Sequence, residues 1–145
     1  MSLPPDAVAG VRALRSGLLL SAGAVLVLAV FAAAIALLAG DGPAAVWPGL
    51  TSLLAGQAGA LVASVVAFAG LREALAGADV PRVRERTARG MRRVVTPLAL
   101  VLLAVVAAWT LVDPRAGMEA LVLALVAAQA VLAIRLAANA VDPRR

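Results

Sequence analysis

The chain alternates long uncharged apolar runs with tight arginine clusters, and that alternation admits essentially one kind of fold. Residues 17–39, 50–71 and 94–112 carry no charged side chain, and a fourth apolar run over 118–138 is interrupted only by Glu119 and Arg135. At about 1.5 Å rise per residue, some 20 helical residues cross the ~30 Å hydrocarbon core of a bilayer. The first three runs meet that length without interruption. The fourth meets it if Arg135 extends its guanidinium to the headgroups while its stem stays in hydrocarbon. The first run is also too long for the ~7–15-residue apolar core of a signal peptide. The expected architecture is therefore all-α: a single transmembrane four-helix bundle over residues 1–145, built as two helical hairpins joined by a basic cytoplasmic loop at 72–93.

Composition closes the alternatives. Of the 145 residues, 63% are apolar and only 14% charged, and a soluble domain of this size could not keep that much apolar surface from water. All thirteen cations are arginine, and the net charge is +5. Nucleic acid is not the expected partner. The charges sit at the ends of apolar runs, and two Trp, two Phe and no Tyr provide almost nothing for stacking bases. The chain has no cysteine and no histidine, which removes disulfides, thiolate and imidazole metal sites and the commonest general base. No carboxylate falls well inside a span. Ser21 and Ser64 are isolated hydroxyls, expected to bond their own helix or a neighbour. No catalytic, metal-binding or cofactor-binding residue is expected, and the protein reads as a non-enzyme.

Orientation follows from the arginines. Arg12 and Arg15, then Arg72 with the group from Arg82 to Arg93, then Arg135, Arg144 and Arg145 all lie at one end of the spans, leaving only Arg115 at the other. The positive-inside rule puts both termini and the central segment in the cytoplasm of a cell-membrane, multi-pass protein, and Trp47 and Trp109 then fall at the opposite interface that indoles favour. Gly40-Asp41-Gly42-Pro43 is expected to stop the first span, Trp47-Pro48-Gly49 to end the loop that follows, and Asp113-Pro114-Arg115-Ala116-Gly117 to make a short turn. Asp79-Val80-Pro81 has the form of a helix start. Beyond it Val83, Thr87, Met91 and Val94 recur at helical spacing, so a basic amphipathic helix is expected to run straight into the third span, with Pro97 in that span's first turn.

Three sets of residues are candidates for interaction. Ala55, Gly56, Gly59, Ala63, Ala67 and Gly70 form a small-residue stripe that lets helix backbones approach closely. Gln57, ~10 Å below the outer end of its span, and Gln129, ~16 Å below, are amides at membrane depth and should face other helices. They would form either an interhelical hydrogen bond within the bundle or a polar seam for a path or a partner. Arg82, Arg84, Arg86, Arg89, Arg92 and Arg93 are placed to lie along anionic lipid headgroups, each contributing about 1 kcal/mol, or to meet an acidic protein surface. The expected partners are thus the lipid bilayer with its anionic headgroups, and another membrane protein or a second copy of the chain.

In layout the chain resembles the actinobacterial members of the ATP synthase protein I family. The resemblance lies in the small-residue-rich second helix (Gly56, Gly59), the length of the charged central segment, and Pro114-Arg115-Ala116-Gly117-Met118 leading to Gln129. Where that family carries an asparagine after the glycines of the second helix, Gln57 is the nearest amide. The resemblance implies a non-catalytic accessory subunit associated with assembly of the synthase rotor ring. The residues themselves leave two other classes open: a small oligomeric channel or transporter around Gln57 and Gln129, and a membrane anchor whose basic segment recruits a cytosolic partner.

Overall fold

The computed structural model describes residues 5–39 and 46–142, and these form four helices: α1 (Pro5–Leu38), α2 (Trp47–Leu75), α3 (Val80–Val112) and α4 (Pro114–Val141). All four are long and apolar enough to cross a membrane, and no strand occurs among the described residues. The protein is an all-α, multi-pass membrane bundle. The expected Gly40–Pro43 turn and the Arg144/Arg145 pair lie outside the described residues.

Every helix outruns its uncharged core. The 34 residues of α1 and 33 of α3 correspond to ~50 Å, well beyond the ~30 Å hydrocarbon thickness. The supposed loop at 72–93 is accordingly almost all helix, with only residues 76–79 between α2 and α3. That short turn is built by Gly77, whose φ of +91° is open to glycine. The Ala78 N–H reaches the Glu73 carbonyl and the Gly77 N–H that of Ala74, both at 3.3 Å, the paired bonds of a Schellman stop. Asp79 and Pro81 then open α3 as expected. At the far end the turn is tighter still. Asp113 alone is non-helical between α3 and α4, and its carboxylate accepts from the Arg115 N–H at 3.0 Å.

Because α3 starts at Val80, Pro97 lies in mid-helix, not in a first turn. A proline there withholds an N–H from the Arg93 carbonyl, which in an ordinary helix costs about 3 kcal/mol. Continuity of the amphipathic segment with the span outweighs that cost, because the basic half of α3 buries an apolar face of its own.

The bundle has two cores. The larger lies at membrane depth, around Leu28, Leu53, Ala60, Ala63, Met91, Leu98, Ala127 and Ile134. The smaller lies at the arginine end and joins Leu14, Ala74, Val83, Ala88 and Val141 from all four helices. The basic segment therefore turns its apolar face into the bundle. Val83, Thr87, Ala88 and Met91 pack inward, and the periodicity that could have served a lipid surface serves the bundle.

Small residues decide which helices are central. Buried positions on α2 include Gly49, Ser52, Gly56, Ala60, Ala63, Ala67 and Gly70; on α4 they include Gly117, Ala120, Ala124, Ala127, Ala130, Ile134 and Ala138. Both sets step by threes and fours, the spacing of a helix–helix seam. The seam on α2 is turned slightly from the expected stripe. Gly56, Ala63, Ala67 and Gly70 are buried, whereas Ala55 and Gly59 are half-buried at its edge. Gly59 still matters there, since a Cβ would meet the Leu98 side chain. Ser52 crosses the seam, donating to the Ala120 carbonyl at 3.0 Å.

At the opposite end the Trp109 Nε1–H donates to Thr51 Oγ1 at 2.9 Å, and Thr51 donates to the Pro48 carbonyl at 2.7 Å. This chain of bonds ties the end of α3 to the first turn of α2. Trp109→Phe is expected to lower stability by about 1 kcal/mol, read as a lower melting temperature in detergent. Trp47→Phe, at a position half exposed, should leave it unchanged.

Candidate functional site

The three candidate sets have different fates. The small-residue stripe is consumed within the chain. A Cβ on Gly56 would meet Ala127 and Leu28, and one on Gly70 would meet Thr87, so these glycines serve contacts among α1, α2, α3 and α4. Ser21 and Ser64 bond their own helices, to the Gly17 and Ala60 carbonyls at 3.0 and 2.8 Å.

The six arginines divide. Arg82 pairs with Asp79 at 3.2 Å and Arg86 with Glu73 at 3.1 Å, both exposed and contributing little to stability. Arg84 and Arg92 instead close the end of α4. Arg84 donates from Nε to the Val141 carbonyl at 2.9 Å and from Nη2 to that of Asp142 at 3.4 Å. Arg92 reaches the Asp142 carboxylate at 2.7 Å and the Asn139 amide oxygen at 3.4 Å. The last carbonyls of a helix lack internal donors and carry its negative dipole end, so two guanidinium groups there are doubly favourable. Arg89 and Arg93 are exposed and hold no partner among the described residues. These two, not all six, are left without an ion pair or hydrogen bond among the described residues.

The amides depart most from expectation. Because α2 begins at Trp47 and α4 at Pro114, Gln57 lies ~15 Å and Gln129 ~22 Å along its helix, deeper than the apolar runs suggested. Gly56 packs on Ala127, so both amides stand at the same level, near mid-membrane. Neither makes a hydrogen bond to another described residue, and they do not bond each other. Gln57 is half-buried and Gln129 is exposed. Gln129 opens into a groove of about 530 Å³ between α1 and α4, walled by Ala24, Val27, Phe31, Leu125 and Ala133; Gln57 does not line it. The expected interhelical hydrogen bond is absent among the described residues, because the alanines of α4 turn inward and leave Gln129 on the outer face.

Comparison with family models, with curated proteins and with solved structures found no match to this chain. The site must be judged on its own chemistry. Among the described residues no group of His, Cys, Asp or Glu could hold a metal ion. What the molecule offers outward is a mid-membrane amide in an apolar groove, further apolar grooves elsewhere on its flanks, and unpaired arginines at one end.

Proposed function

We propose that this protein is a small non-catalytic accessory or assembly subunit, which docks a partner membrane protein by helix packing on its α1–α4 face. The observation that carries the reading is Gln129. A side-chain amide in hydrocarbon loses the hydrogen bonds that water would give, and an interhelical partner is worth ~1–2 kcal/mol at most. Among the described residues nothing supplies that partner, and the flanking Ala24, Ala130 and Ala133 leave room for a second helix to come close.

The arginine end faces the cytoplasm of the cell membrane, in accord with the positive-inside rule. On the family resemblance, the partner is the rotor ring of an ATP synthase during its assembly. A channel draws less support, since the two glutamines do not share a groove.

Purification from native membranes in mild detergent, followed by mass spectrometry, should recover a second membrane subunit with the wild-type chain. Gln129→Leu should reduce that recovery roughly tenfold, whereas Gln57→Leu should not. A lone monomer from wild type, or unchanged recovery with Gln129→Leu, overturns the reading. Liposomes containing the protein should show no ion flux.

A further inference from the structure

We propose that the groove between α3 and α4 is a binding site for one anionic phospholipid, with its phosphate on Arg135 and an acyl chain laid along the groove. The site lies on the other flank of α4 from the α1–α4 groove and shares only Leu125 with its lining. It is walled by Ala99, Leu103 and Val106 of α3 and by Leu121, Ala128 and Leu132 of α4, with a volume of about 400 Å³. Arg135 stands at its basic end and is the one charged group in the lining.

Arg135 is not a helix-end residue. The α4 helix runs on to Val141, ~9 Å further. Along the outer face of α4 its neighbours are Leu132 and Leu136, both exposed to lipid. A guanidinium rooted in hydrocarbon must reach the headgroup layer and find an anion there. No carboxylate pairs with Arg135 among the described residues, although Arg82, Arg86 and Arg92 all have one. The complement is a phosphate, which takes a guanidinium in bidentate fashion.

Length decides between a lipid and a free anion. From Arg135 to Leu121 the groove follows α4 for ~21 Å, longer than the ~15 Å half-thickness of a bilayer core. A whole acyl chain of the leaflet at the arginine end fits beneath the charge. Arg93 heads a groove between α2 and α3, but along α3 that one runs only to Val101, ~12 Å away, and does not accommodate a full chain.

The test is native mass spectrometry of the detergent-purified protein titrated with phosphatidylglycerol or with phosphatidylcholine of identical acyl chains. The expected result is one preferred phosphatidylglycerol per chain. Arg135→Gln should weaken it about tenfold, and Arg89→Gln, which removes an equal charge away from the groove, should leave it unchanged. Ala128→Phe fills the groove while keeping the arginine, and should also remove the preferred adduct. It carries the test if Arg135→Gln fails to fold. Equal affinity for the two lipids overturns the proposal, as does equal loss with Arg89→Gln or full retention in Ala128→Phe. Loss of the α1–α4 partner with Gln129→Leu should leave lipid binding intact.

Discussion

Gly56→Val should destabilise the bundle by about 2–4 kcal/mol, the upper range for forcing methyl groups into a packed core. Gly56 sits where three helices converge. A Cβ there would stand 2.8 Å from the Ala127 Cβ, 3.2 Å from the Ala127 Cα and 3.1 Å from Leu28 Cδ1. Two of those neighbours belong to an alanine, which has no rotamer with which to move aside. The only relief is to push α4 away from α2, which opens the seam along its length. Lipid tails are as apolar as the seam, so no hydrophobic drive offsets the lost dispersion contacts. Gly23 supplies the contrast: it lies on the outer face of α1 with nothing within 4 Å of a Cβ. Gly23→Val should change stability by no more than about 0.5 kcal/mol. Unfolding by increasing SDS in mixed micelles, followed by circular dichroism, measures both. Equal midpoints for the two variants would refute the seam as the determinant of packing.

Removing both arginines that close α4 is expected to be the next most damaging change. Hydrogen bonds to charged groups contribute about 1.5–3 kcal/mol each, and pairs sharing one terminus do not add fully. Arg84→Ala with Arg92→Ala should therefore cost about 2–4 kcal/mol. It strips the Val141 carbonyl of the Arg84 donor and takes the Arg92 guanidinium from the Asp142 carboxylate, whose side chain is only 11% exposed. Val141 and Leu14 share the smaller core, so fraying of α4 should loosen the N-terminal turns of α1 as well. Hydrogen exchange should show faster exchange in the last two turns of α4 and the first turns of α1, with the membrane-depth amides unaffected. Arg89→Ala, at a residue without a partner among the described residues, should leave exchange unchanged. Uniform acceleration along the chain would show that the two cores are one cooperative unit.

The number of helices and their places in the chain were legible in the sequence because a bilayer imposes a length on every uncharged run. The helix ends were not, since they depend on a second core outside the hydrocarbon that no hydropathy argument sees. Its signal was present in Leu14, Val83 and Val141, yet these residues become neighbours only once the hairpins are folded together. Gly77, which stops α2, was not singled out in the sequence, because a lone glycine among alanines does not show that its φ must be positive. The seam was half legible. Gly56, Ala63, Ala67 and Gly70 stood out on α2, while the matching alanines of α4 were lost in a background where alanine is everywhere. The amides misled for the same reason: with alanine on every face of α4, composition alone could not say which side of the helix turns inward. The arginines were read correctly as a group at one end. Spacing could not separate those spent on α4 from those left free.

The one-residue turn at Asp113 bears on how such a chain is made. A helical hairpin that reverses on a single residue has no polar loop to translocate. In the proposed orientation, with the arginine end in the cytoplasm, Asp113 and Arg115, two residues apart and opposite in charge, cross the hydrocarbon together and leave Glu119 as the uncompensated charge near that turn. Gly117 lets the descending helix touch the ascending one at Thr110, so the two arms are in contact from the first turn. The second half of the protein is thereby suited to enter the membrane as one closed hairpin rather than as two successive spans.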